Sequence, residues 1–181
     1  MIGGRVVRWV VMIALTGCAA QPVKLGPESD PKVARELLAD AARAGPVRLE
    51  VNGLPSIADA PTTAAHLGEQ AARGIRGLNV HFDSTPAATG SARLLLVFDP
   101  PANLRPRAVC AASAPPPPRE SPPPARLQAI FCDGGTFIAD STATVAGTTL
   151  ADIDRTVWRV AGTLFPDDYP QNYGIRSFFG L

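Results

Sequence analysis

Seven of the ten residues from Pro115 to Pro124 are proline, within Ala114-Pro-Pro-Pro-Pro-Arg-Glu-Ser-Pro-Pro-Pro-Ala125. Proline carries no backbone N–H and holds φ at about −65°, so neither a helix nor an interior strand passes through such a run, which favours extended polyproline II. The folded parts of the chain must form on either side of it and meet across it. Two cysteines, Cys110 and Cys132, flank the segment. The segment has two uses: as a strip that docks into an aromatic-lined groove, or as a tolerated loop insertion closed at its base. It is short and carries no aromatic residue, which favours the loop.

The N-terminus reads as an address. Arg5 and Arg8 form a short positive region, followed by apolar Trp9-Val10-Val11-Met12-Ile13-Ala14-Leu15. This run is too short for a stable bilayer crossing, which takes about 20 apolar residues, so a secretory signal is preferred. It leads into Leu15-Thr16-Gly17-Cys18, a tetrapeptide that resembles the lipobox of bacterial lipoproteins. The resemblance implies cleavage between Gly17 and Cys18, and a diacylglyceryl group with palmitate-type chains on the Cys18 thiol. Two or more chains hold firmly where one binds marginally, so attachment to the membrane rests on the Cys18 lipid. Ala19, not aspartate, follows the cysteine; by the same resemblance this implies the outer membrane, with the inner membrane second, and a body facing the periplasm. Without lipidation the segment would be a plain signal peptide or an uncleaved anchor. The expected organisation is a cleaved signal over 1–17, a lipid-anchored tether over 18–29 and a globular domain over 30–181.

Composition narrows the function classes. The chain has 181 residues, 46% of them hydrophobic, enough for one domain with a real core. A net charge of +1 with no basic cluster excludes nucleic-acid binding as the main task. Loss of Arg5 and Arg8 with the signal leaves fifteen basic against sixteen acidic side chains, net −1.

With Cys18 lipidated, Cys110 and Cys132 remain as an even pair in an exported chain, where an oxidising compartment favours a disulfide. Both lie in runs that read as strands, Arg107–Ala112 and Leu127–Asp133, and adjacent antiparallel strands bring Cα atoms within bridging distance. Two buried thiols or a metal pair are the alternatives, but no further Cys or His stands at short spacing to complete a metal site.

Periodicity supplies the elements. Asp30-Pro31 opens a helix with an N-cap and a proline at its first position, with Val33, Leu37, Leu38 and Ala41 as its apolar face. Val47, Leu49 and Val51 alternate with polar neighbours as a half-buried strand. A second helix is expected over Pro61–Arg73, then a strand through Leu78, Val80 and Phe82. Arg93–Phe98 is apolar on both faces and should lie centrally. Asp133-Gly134-Gly135 reads as a hairpin turn into Thr136–Val145. A last helix opens on Thr149 and Asp152 as a capping box, with Leu150, Ile153, Val157, Val160, Ala161 and Leu164 inward. Together these predict a single α+β domain: a mainly antiparallel sheet of about five or six strands, helices packed on one face, and one disulfide.

The sequence offers little chemistry. Asn79, His81 and Asp83 share one strand face at spacing two and form a weak candidate ligand or metal cluster; a solvated outer face gives the same pattern. His66 stands in an alanine-rich helix, where packing is its default role. Asp140 and the Asp167-Asp168 pair are carboxylates without a catalytic partner in sequence. No nucleophile elbow, His-Glu-x-x-His or phosphate loop occurs, so no catalytic residue, metal or cofactor is assigned. The aromatic C-terminus, Tyr169–Leu181, is expected to fold back onto the domain more than to serve as a partner-binding tail. The expected function is a non-enzymatic structural or assembly accessory, with an envelope protein as its class of partner. The alternative is a tethered small-ligand binder or hydrolase built around Asn79, His81 and Asp83.

Overall fold

The computed structural model describes residues 22–53, 63–85, 90–112, 126–147 and 149–167. The signal segment 1–17, Cys18, the start of the tether, the proline-rich segment 114–125 and the aromatic stretch from Tyr169 onward lie outside the described residues. Six strands and four helices follow in the order β1 (Lys24–Leu25), α1 (Pro31–Ala44), β2 (Val47–Asn52), α2 (Ala64–Gly74), β3 (Phe82–Asp83), β4 (Ala92–Phe98), α3 (Pro106–Ala111), β5 (Arg126–Asp133), β6 (Thr136–Thr144) and α4 (Leu150–Leu164). The strands form one sheet in the order β1-β6-β5-β4-β2-β3. Pairing is antiparallel from β1 through β6 and β5 to β4, and parallel from β4 through β2 to β3. This is the expected single α+β domain with a mainly antiparallel sheet.

Helices α1, α2 and α4 cover one face. Their buried Ala34, Leu38, Leu67, Ala71, Ile153, Val157, Val160 and Leu164 meet Leu49, Leu94, Leu96, Leu127, Ala129 and Phe131 of the sheet. Strand β4 is buried on both faces, as its unbroken apolar run requires: Leu94 and Leu96 turn to the three helices, Leu95 and Val97 to the other side. The N-caps follow the sequence. The Asp30 carboxylate accepts from the Val33 amide at 3.0 Å, and Thr149 with Asp152 forms the capping box. Between β5 and β6, Gly134 takes φ +56° at the first position of a two-residue turn, a conformation that glycine adopts without steric cost.

The structure departs from the sequence reading at four places. Arg107–Ala112, read as a strand, is all but the first residue of helix α3 with its C-cap Ala112; the helix lies on the opposite face from the other three helices and covers Leu95, Val97 and Ile130. Pro106 at its first turn, followed by Ala108 and Ala111, is a helix-start signal in a helix-favouring sequence. The staple nevertheless forms: Cys110 on α3 and Cys132 on β5 are bonded with Cα atoms 5.7 Å apart, inside the usual bridging range. In α1 the buried stripe runs through Ala34, Arg35 and Leu38, whereas Val33 is 39% exposed. The expected strand over Leu78–Phe82 pairs only at Phe82–Asp83, although Val80 and Phe82 are buried as the alternation requires. Finally, residues 24–29 of the segment expected to be a tether join the domain. Lys24 and Leu25 pair with Thr142 and Ser141 on the sheet edge, and Gly26 donates its amide to the Asp140 carbonyl at 2.9 Å.

Two predictions follow from this packing. The Cys110–Cys132 bond closes a loop of 22 residues, for which chain entropy gives about 3 kcal/mol; Cys110→Ala/Cys132→Ala lowers unfolding free energy by that order in a denaturant titration. A Cβ on Gly74 would collide with the Trp158 carbonyl oxygen of α4, so Gly74→Ala costs about 1–3 kcal/mol and lowers the midpoint in the same titration.

Candidate functional site

Of the polar residues singled out in the sequence, Asp83, His66 and Asp140 are engaged in local or tertiary contacts. Asn79 and His81 are exposed and Asp83 is half-buried. The Asp83 carboxylate accepts from both the amide and the hydroxyl of Thr85, each at 2.8 Å. The Thr85 amide, then its hydroxyl, hold the Asp83 carboxyl below the ordinary aspartate value despite some desolvation, with His81 adding a smaller Coulombic pull in the same direction. Asp83 thus closes a local turn. Among the described residues no group of three or more His, Cys, Asp or Glu side chains is placed to hold a metal ion.

His66 joins two helices through Nε2, 2.8 Å from Asp154 Oδ1. Asp140, buried on β6, receives Gln128 Nε2 on Oδ2 at 2.8 Å and the Ser29 hydroxyl on Oδ1 at 3.1 Å. Both oxygens of that carboxylate are therefore engaged, and they clasp the segment leading into α1 to the sheet edge. Asp167 is exposed, and Asp168 lies outside the described residues.

Two arginines that sequence reasoning passed over carry much of the architecture. Arg35 on α1 donates to the Phe165 carbonyl after α4 at 3.1 Å and to the Arg76 carbonyl after α2 at 2.9 Å, where guanidinium groups favour the carbonyl-rich ends of helices. Arg93 on β4 donates to the carbonyls of Val109, Cys110 and Ala112 at the end of α3, at 3.3, 2.7 and 3.2 Å, and pairs with Glu50 at 3.1 Å.

Among the described residues, three surface hollows bear on function. The first, about 390 Å³, lies where α2 ends against α4, with Arg76, Trp158, Arg159, Phe165 and Val23 among its lining residues. Trp158 is 38% exposed, donates its indole N–H to the Arg73 carbonyl at 3.1 Å and carries the Arg76 guanidinium 5.9 Å above its ring, a cation–π arrangement. Its position follows from the close crossing of the two helices, where the Gly74 carbonyl oxygen would stand 2.9 Å from a Cβ at Gly162. The second, about 220 Å³, is polar and lined by Pro22, Lys24, Arg126, Thr142, Ala143 and Thr144. Cross-strand register builds it: Lys24 opposes Thr142 and Arg126 opposes Thr144, so alternation places all four side chains on one sheet face. The third, about 490 Å³, runs along α3, where Pro101, Leu104, Arg105, Ala108 and Val109 line it.

The first two hollows flank Pro22–Lys24, where the chain enters the domain from Cys18. No helix among the described residues is long and apolar enough to cross a membrane. Comparison of the chain with protein-family models, curated proteins and solved structures finds no match.

The Asp83 turn gives a direct test. Removing the hydroxyl in Thr85→Val leaves the amide contact, so the Asp83 carboxyl moves part of the way back toward its ordinary value of about 3.9, read by carbon NMR titration. The native contacts favour the charged form, so their contribution to stability is present above the unfolded aspartate pKa. It fades as pH falls through the lower folded value.

Proposed function

We propose that this chain is an envelope lipoprotein: residues 1–17 are a signal removed between Gly17 and Cys18, and Cys18 carries the lipid that holds the domain at the outer membrane, facing the periplasm. In this reading it is a non-enzymatic structural or assembly accessory. The observation that carries the reading is the Cys110–Cys132 disulfide. Such a bond persists in oxidising compartments, and here it lies downstream of a tetrapeptide that resembles a lipobox. The short tether adds support. Chain and sheet join at Lys24, six residues after Cys18, which suits a body held close to its anchor.

The accessory role is supported by how the chemically versatile side chains are employed. His66 bridges two helices, Asp140 clasps the sheet edge and Asp83 closes a turn. The contact surface proposed for an envelope protein is the hollow along α3. Its volume of about 490 Å³ falls in the range of concave binding sites, and Ala112, the last described residue before the proline-rich segment, lies on its lining.

Mass spectrometry of the protein from native membranes tests the anchor. The mature polypeptide begins at an acylated Cys18 and has no free thiol at Cys110 or Cys132, while Cys18→Ala accumulates as the uncleaved precursor without palmitate label. A native product that begins elsewhere, or that carries no acyl chains, overturns the proposal. A photo-crosslinker at Leu104 is expected to capture an envelope protein; a chain that crosslinks to nothing overturns the accessory role.

A further inference from the structure

The end of the domain at which the chain arrives from Cys18 carries cations and an exposed aromatic ring on both sides of its entry point. On one sheet face, Lys24 and Arg126 share the polar hollow with the hydroxyls of Thr142 and Thr144. Both basic residues are exposed, and among the described residues neither side chain has an ion-pair partner. On the other face, the hollow that Val23 helps to line presents Trp158 with Arg76 over its ring; Arg159 and Asp167 complete its charged rim. A chain that is net −1 after signal removal thus gathers positive charge where its anchor begins.

We infer that this end of the domain is a bilayer-facing surface that binds anionic phospholipid headgroups, with Lys24 and Arg126 taking the phosphate and Trp158, on the other side of the entry point, lying in the interface. The inference rests on the lipid anchor at Cys18. Its geometric basis is reach: four residue steps separate Cys18 from Pro22, and an extended chain covers at most about 3.6 Å per residue, or about 14 Å. The entry end is therefore held within the depth of a headgroup layer and its adjoining water. Two cations beside hydroxyl donors match a phosphodiester, which offers only acceptors. Tryptophan, apolar in body with one N–H, favours the same depth. Cations near an anionic leaflet are attracted within about a Debye length. The surface therefore orients the domain on the membrane and leaves the hollow along α3, on the same sheet face as Lys24 but formed by another segment, available to a partner.

Trp158 makes the test direct, because the only other tryptophan, Trp9, leaves with the signal. Protein whose acylation at Cys18 has been verified by mass is reconstituted into vesicles of phosphatidylethanolamine with phosphatidylglycerol, the chains brominated near the headgroup, and Trp158 emission is recorded. Because acylation is established beforehand, a negative result bears on the surface and leaves the anchor standing. Strong quenching is expected, relieved by high salt and absent in brominated phosphatidylcholine vesicles. Each of Lys24→Gln and Arg126→Gln lowers the ratio of apposed to free domain about fivefold, and the double variant abolishes quenching. Arg43→Gln, which removes an exposed cation of the last turn of α1, leaves quenching unchanged. Native disulfide content and circular dichroism confirm that each variant is folded, and the salt titration of the unaltered protein reads the same attraction without substitution. Absence of quenching, equal quenching in phosphatidylcholine, or quenching that survives the double variant overturns the inference.

Discussion

Helix α3 is only six residues long, too short to persist by its own hydrogen bonds, yet it covers one entire apolar patch of the sheet. Its place depends on a pair of neighbours in the strand register. Arg93 on β4 and Cys132 on β5 stand directly opposite one another and project from the same face. Cys132 is bonded to Cys110, and Arg93 donates to the carbonyl of that same Cys110 at 2.7 Å. One residue of α3 is thus held by a covalent bond through its side chain and by a charged hydrogen bond through its backbone. The guanidinium also satisfies carbonyls that a helix end leaves without intrahelical partners. Without this double attachment, Leu95, Val97 and Ile130 would lose their cover.

The same attachment fixes the chain on one side of the proline-rich sequence. The Ala112 carbonyl also accepts from Arg93 at 3.2 Å, and at Arg126 the backbone and carboxylate of Asp99 bind the incoming strand at 2.9 and 3.0 Å. The described residues on both sides are therefore held to the sheet. The register of β4 on β5 runs from Ala92↔Asp133 to Phe98↔Leu127. Loop-closure cost grows only slowly with length, and the crosslink removes part of it from the unfolded chain. This is the physical reason a run that no helix or strand can enter sits between two strands that pair with each other.

Legibility in the sequence followed the range of the interaction. Local signals were read correctly: the Asp30-Pro31 start, the Thr149–Asp152 capping box and the two-residue glycine turn all depend on residues within four positions of one another. So was the central burial of β4, which its unbroken apolar run dictates. The α3 segment misread because Val109 and Cys110 are adjacent and buried, and over so few residues a strand and a helix give the same pattern. Arg35, buried, and Arg93, half-buried, escaped notice because their partners are carbonyls far away in sequence, at Phe165 and Arg76 for one and at the end of α3 for the other. Trp158 was likewise silent. The ring sits on the outer side of α4 because Gly74 and Gly162 bring two helices close together, a contact that neither glycine announces alone. The weak Asn79, His81 and Asp83 cluster was visible as a pattern, while the threonine that engages Asp83 was not.

The N-terminal edge shows how such distant contacts set the geometry of the whole molecule. Residues expected to hang free as a tether instead extend the sheet: Lys24 and Leu25 pair with β6, and Ser29 bonds the Asp140 carboxylate, which Gln128 holds from the other side. Releasing the edge would cost the β1 pairing and the Ser29 contacts, while Gln128 on the neighbouring strand would keep its bond to Asp140. The fold therefore holds residues 24–29 against the sheet. On the proposal that Cys18 carries a lipid, a domain joined to it by a twelve-residue tether would explore a wide shell above the bilayer, whereas one already paired into the sheet at Lys24 would be held in a narrower one. There Lys24 and Arg126 would meet headgroups at high effective concentration. On that proposal the clasp on Asp140 turns a point of attachment into an orientation.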